Sequence, residues 1–100
     1  MTDKTDERFT LINAEDRLAE NPETFWIPWR AEREGLAPGA VVKLMFQLPE
    51  HVERAWVQIT ERQANGRYHG VLANELAAGV ERGTPVEFGP EHVVLIYAEG

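Results

Sequence analysis

Leu36-Ala-Pro-Gly39-Ala-Val-Val42-Lys-Leu44 is answered later in the chain by Val80-Glu-Arg-Gly83-Thr-Pro-Val86-Glu-Phe88. Each phrase is an apolar anchor, a glycine turn, and then apolar residues three and five positions beyond the glycine. Glycine takes the positive φ that such a turn demands, and the period of two that follows turns one side of a strand inward. Placed on either side of a central hairpin, the repeated phrase predicts an α+β, mainly β fold. The expected architecture is a small, strongly bent five-stranded antiparallel sheet or barrel with a short N-terminal helical arm.

The first phrase continues into Met45, Phe46 and Gln47, so Val42, Leu44 and Phe46 alternate with Lys43, Met45 and Gln47 and give one clearly apolar face. After the polar connection Pro49–Glu53, residues 54–62 and 67–73 form a hairpin across Asn65-Gly66, the dipeptide that suits a two-residue turn. That turn would set Gln63 opposite Tyr68, Arg62 opposite His69 and Ile59 opposite Leu72. It collects Val57, Ile59, Tyr68 and Leu72 on one face and leaves Trp56 on the other. Asn74–Val80 reads as a loop or one helical turn. Gly89-Pro90 breaks the strand launched by the second phrase. Val93-Val-Leu-Ile-Tyr97 is apolar throughout, a closing strand expected to be covered on both faces. The inner surface is thus assigned to Val42, Leu44, Phe46, Val57, Ile59, Leu72, Val86 and Phe88.

Upstream, residues 1–8 are charged and aperiodic and read as a disordered tail, leaving 9–100 as a single domain. Within it, residues 9–37 form the arm and 38–100 the β-rich core. Phe9–Ile12 is a short extended segment. Asn13 is placed to cap a helix from Ala14 to Glu20, with Glu15 and Asp16 in its first turn, and Pro22 ends it by disfavouring helical geometry at Asn21. Thr24-Phe-Trp-Ile-Pro-Trp-Arg30 admits either a helix from Trp29 to Glu34 closed by Gly35 or an extended arm across the sheet.

Composition narrows the chemistry. The chain has neither cysteine nor serine, which removes disulfides, thiolate metal sites and the usual serine and cysteine nucleophiles. Its net charge of −7 opposes phosphate backbones, so no nucleic-acid partner is expected. No apolar run approaches a membrane span and the N-terminus is too acidic for a secretory signal, so the expected location is cytoplasmic, without a membrane partner.

From Glu23 onward the order of residues resembles the bacterial domain-of-unknown-function family 2314. The resemblance is carried by Phe25, Ile27-Pro28, Arg33, Leu36-Ala-Pro-Gly39 and Val42-Lys-Leu-Met-Phe46. It continues through Glu53-Arg-Ala-Trp-Val57, Gly70-Val-Leu-Ala-Asn74 and Gly83-Thr-Pro-Val-Glu-Phe-Gly-Pro-Glu-His92. It covers about three quarters of the chain. It implies a small β-rich bacterial domain with no assigned reaction, and it carries over no catalytic residue. The chain departs from the family at Leu95-Ile96-Tyr97, where a more polar, acidic finish is expected.

The residues singled out for binding are Trp26, Trp29 and Trp56. With Trp56 on the polar face of the hairpin, the three indoles would line an exposed ligand or peptide groove. In the bland alternative the arm packs over that face and they form a second small core, which tryptophan's usual burial favours. His51, His69 and His92 are too scattered to grip one metal, so no metal or cofactor is expected. Glu91 and His92 would point to different faces of an extended chain, and Glu61 and Glu87 read as surface charges. No catalytic residue is assigned. The preferred reading is a non-enzymatic protein-interaction module whose acidic surface steers a basic partner. Two alternatives remain: an immunity-type protein capping a basic toxin, and a small enzyme using Glu91, His92 or His69. An exposed edge strand or an uncovered Val93–Tyr97 would allow a dimer.

Overall fold

The computed structural model describes residues 8–97. Its strands are β1 (Thr10–Leu11), β2 (Val41–Gln47), β3 (Val52–Arg62), β4 (Tyr68–Leu72), β5 (Pro85–Phe88) and β6 (Val93–Ile96). Two helices, α1 (Ala14–Glu20) and α2 (Arg30–Glu34), precede β2, and 3-10 turns occupy Ala77–Gly79 and Pro90–His92. Every pairing is antiparallel, in the order β1-β2-β3-β4-β5, with β6 pairing the first half of β2 on the edge whose far end β1 takes. The sheet bends until it nearly closes into a barrel. The two-residue β1 makes six strands where the sequence suggested five. The expected tail falls on residues 1–7, outside the described residues, and on Arg8, which donates to the carbonyl of Gly79 at 3.1 Å.

Both glycine turns form as the repeated phrase requires, with φ of 98° at Gly39 and 92° at Gly83. In this region a side chain's Cβ meets its own carbonyl, so glycine is favoured. Each turn is tied to a neighbouring strand: Gly39 donates to Ile59 O at 2.8 Å and Gly83 to Leu72 O at 2.8 Å. The inward residues that follow join the main core, where all eight of the assigned side chains are buried with Phe9, Leu48, Tyr68, Leu76, Val80 and Val93.

The hairpin differs from its predicted register. Gln63 N donates to Arg67 O and Gly66 N to Gln63 O, a three-residue loop whose last residue, Gly66, has φ of 86°. A further register shift falls between Ile59 and Glu61. As a result Arg62 faces Tyr68, Glu61 faces His69, Ile59 faces Gly70 and Val57 faces Leu72. At Ile59 the pairing has slipped by two residues. An even slip leaves each side chain on its original face, which is why the core assignment survives a wrong register.

The second face of the sheet carries its own small core. Asn13 caps α1, its side-chain oxygen accepting from Asp16 N at 2.9 Å, and the helix ends at Glu20. Ala14 from this helix, Ile27 from the arm, Met45 of β2 and Val94 of β6 pack together, with Ile12, Leu18 and Phe25 against them. The arm is extended over residues 25–28 and turns helical only from Arg30, so both readings of this stretch hold in succession. Phe25 and Ile27 face inward and Trp26 faces out, the alternation of an extended chain. In β6 Val93 and Val94 are buried and Ile96 packs partly against the main core, but Leu95 and the following Tyr97 are exposed, so the strand is not sheathed on both faces.

Two side chains lock α2 in place. The Tyr68 hydroxyl, fully buried, donates to Arg33 O at 2.7 Å and accepts from Leu36 N at 3.3 Å. Arg33 is only 5% exposed, and its guanidinium donates to Pro28 O, Pro90 O and a Glu15 carboxylate oxygen, each at 2.8 Å. One side chain thereby joins α1, the arm, α2 and the 3-10 turn before β6.

Candidate functional site

Packing of the arm over Met45 and Val94 leaves the other half of that sheet face uncovered. There Trp56 of β3, opposite Lys43 in register, stands edge-on to Tyr97, with ring centres 5.7 Å apart and planes at 86°. With Val41, Ala73 and Asn74 the two rings line a shallow apolar groove of about 250 Å³. Asn74 accepts from Trp56 N at 3.0 Å through its side-chain oxygen, and Ala73 N donates to Trp56 O at 2.8 Å, fixing the backbone beneath the indole. Lys43 holds its ammonium 4.6 Å from the centre of the indole, within cation–π range. Tyr97 is 54% exposed, so one wall of the groove is open to water.

Trp26 and Trp29 do not line this groove. They are 66% and 77% exposed, which also rules out a second core of three indoles. The reason lies in the arm's alternation: the site over Met45 and Val94 is filled by Ile27 and Phe25, and Trp29 immediately precedes α2 with its backbone N–H bonded to Glu32. Sequence reasoning found Trp56 but missed Tyr97, Val41 and Ala73. Tyr97 was hidden because a uniformly apolar strand has no alternation to say which residue points outward.

A second, polar cleft of about 500 Å³ opens between α2, the hairpin loop and the 3-10 turn. Arg30, Arg62 and Arg67 line it with Glu34, Glu91, Asn65, Gly66 and Pro90. Here Glu91 and His92 are neighbours on a tight turn rather than on opposite faces of a strand, with 3.6 Å between carboxylate and Nδ1. That nitrogen accepts from Gly89 N at 3.0 Å, so the neutral imidazole is the form the turn holds. Burial pushes the Glu91 carboxyl upward, but its own backbone N–H, His92 and Arg67 outweigh this and bring it below the usual range. His92, its side chain 15% exposed, is lowered first by burial and also by Arg67, against the opposing pull of Glu91 and Glu15. Glu53 is lowered as well, first by its bond from His51 and then by the N–H of Ala77. His69 is paired through its ring with Gln63, not with Arg62. Among the described residues no three His, Asp or Glu side chains gather where a metal ion could be held.

These shifts predict an acid-labile fold. His92, Glu91 and Glu53 have folded values below their unfolded ones, so the unfolded chain binds more protons as pH falls. Stability is complete above about 6.5, the ordinary value for histidine, and falls first as His92 resists protonation. It declines further below about 4.5 as the two carboxylates titrate. Thermal melting between pH 7.5 and 5.5 checks the first step: the midpoint drops in the native chain, and His92→Gln removes the dependence on this interval. A flat profile in the native chain contradicts it.

No helix among the described residues is long and apolar enough to cross a membrane. Comparison with protein-family models, curated proteins and solved structures finds no match for this chain.

Proposed function

We propose that this chain is a non-enzymatic protein-interaction module that docks a basic segment of a partner protein at the Trp56 groove. The observation that supports the reading is the uncovered apolar half of a sheet face, walled by Trp56 and Tyr97, on a chain of net charge −7. Apolar grooves with an aromatic anchor are where protein interfaces concentrate their affinity. At low salt a net negative molecule steers positive partners toward it more readily than copies of itself, which favours a basic partner, while the groove lining, without a carboxylate, supplies apolar contact. Lys43 alongside the indole leaves the groove's apolar surface, rather than the ring face it covers, as the contact.

The reading is checked by capture from a lysate with the native chain, Trp56→Ala and Trp26→Ala side by side. Trp56→Ala is expected to lose roughly 30-fold in affinity for the captured partner, as truncated tryptophan anchors do. Trp26→Ala keeps its binding, and the captured protein is basic and is released when salt rises from about 0.05 to about 0.5 M. Retention of an acidic protein, equal retention by Trp56→Ala, or retention of nothing at low salt overturns the reading.

A further inference from the structure

Within an acidic molecule, three of the ten basic side chains converge on one concavity, the cleft of Arg30, Arg62 and Arg67. Carboxylates engage two of them in part. Arg30 uses its Nε on Glu34 at 2.6 Å, leaving both terminal nitrogens. Arg67 uses Nη1 on Glu91 at 3.2 Å and lies with Nε 3.7 Å from Glu87, leaving Nη2. The Arg62 side chain, at the end of β3, has no hydrogen-bond or ion-pair partner among the described residues. The lining therefore holds three guanidiniums against two carboxylates, with Glu87 behind Arg67 as the third negative group.

The walls are built rather than draped. α2 cannot move away from the cleft without breaking the buried Arg33 bonds to Pro28 O and Pro90 O and the Tyr68 bond to Arg33 O. On the opposite wall Arg67 N donates to the Asn65 side chain at 3.0 Å, and the ends of the Glu91 and Arg67 side chains lie over the Gly89 backbone where a Cβ would meet both. Arg30, with both terminal nitrogens unspent, and Arg62, with its whole guanidinium unspent, each keep a fork that matches the oxygens of a phosphate, and Arg67 adds Nη2. A cleft of about 500 Å³ lies in the usual range for small-molecule sites and exceeds what a bare phosphate fills.

We infer that the cleft between α2, the hairpin loop and the 3-10 turn binds the phosphate group of a small phosphate ester through Arg30, Arg62 and Arg67. The same charge that repels a polyanion tolerates a single dianion, because a phosphate of a few ångströms meets the local charges, where the unspent N–H donors of the three guanidiniums stand beside Glu34 and Glu91, and the remaining field is screened beyond about 8–10 Å at ordinary salt. This site shares no residue with the Trp56 groove, so its fate is independent of the proposed docking function.

The test is titration of the isotope-labelled chain with inorganic phosphate and, separately, glycerol 3-phosphate, at constant ionic strength set by chloride. The readouts are the backbone amides of Gly66 and Arg67 and the arginine Nε signals. Saturating shifts confined to these groups are expected, with the affinity weakened at least about tenfold in Arg62→Gln, which breaks no internal bond. Arg62→Lys keeps the charge but loses the fork, and is expected to recover only part of the affinity. Tighter binding of the ester than of inorganic phosphate identifies an organic body in the cleft; equal binding identifies a site for free phosphate and overturns the assignment to an ester. Non-saturating shifts, the same response to chloride alone, or unchanged affinity in Arg62→Gln with its amide spectrum intact overturn the site altogether.

Discussion

Arg33→Leu is expected to lower the stability of the chain by about 3 kcal/mol, the low end of what breaking a buried ion pair costs. In a domain of this size that is a fall of roughly 12–24 °C in melting temperature. Apolar replacement of a buried charge is sometimes harmless, because both charged partners can be exchanged for packed hydrocarbon. That escape is closed here. Two of the three groups that Arg33 serves are the backbone carbonyls of Pro28 and Pro90, which no substitution at position 33 removes. Each buried acceptor left without a donor costs about 1–3 kcal/mol, whereas Glu15, one third exposed, can return to water. Glu15→Gln should therefore cost much less than Arg33→Leu. Urea denaturation of the two variants decides the matter: a loss below about 1 kcal/mol for Arg33→Leu, or an equal loss for both, would mean that the carbonyls find other donors. Arg33→Lys is not a rescue, since an ammonium on a single stem does not reproduce donors pointing in three directions.

The Arg33 junction also marks where sequence reading stops. Local features were legible because each depends on neighbours in the chain: the Asn13 cap, the end of α1 before Pro22, the turns at Gly39 and Gly83, and the inward alternation of β2, β3 and β5. Arg33 could be seen as part of a motif, but its buried role depends on Glu15 and Pro90, which are distant in sequence and meet only in the fold. The hairpin register failed for a related reason. Asn65-Gly66 fits a two-residue turn and also the last two places of a three-residue loop, and the choice is made with the irregularity between Ile59 and Glu61. At the candidate groove, Trp56 was legible as the large apolar residue on the polar face of its strand. Its partner Tyr97 was not, since it follows an unbroken apolar run. Trp26 and Trp29 stood in an aromatic stretch with no polar residue to mark its outer face, and the small patch of Ala14, Met45 and Val94 selected Ile27 and Phe25 instead. The arginines of the cleft lie on a helix, a strand end and a loop, so no linear pattern joins them.

Gly70→Ala tests the glycine that β4 packs tightly against β3. An alanine in place of a strand glycine ordinarily stabilises a protein by about 0.4–1 kcal/mol, because it restricts the unfolded chain. At this position the sign reverses. Gly70 lies opposite Ile59, and a Cβ on it would stand 2.5 Å from Gln58 O and 2.7 Å from Val57 Cγ1. The nearer atom is backbone in the longest strand, so relief requires β3 and β4 to separate rather than a side chain to rotate. Overpacking of this kind costs about 1–3 kcal/mol, and Gly70→Val is expected to cost more than Gly70→Ala. The strain would also travel. β3 runs from this contact through the irregularity before Glu61 to Arg62 at the lip of the polar cleft, while the apolar groove rests on Trp56 two residues before Gln58. Gly70→Ala should thus shift the amide resonances of residues 56–62 as well as lower the denaturation midpoint. An alanine variant as stable as the native chain would place β4 farther from β3 than the register described above allows, and the core face shared by Val57, Ile59, Tyr68 and Leu72 would have to be rebuilt around that wider spacing.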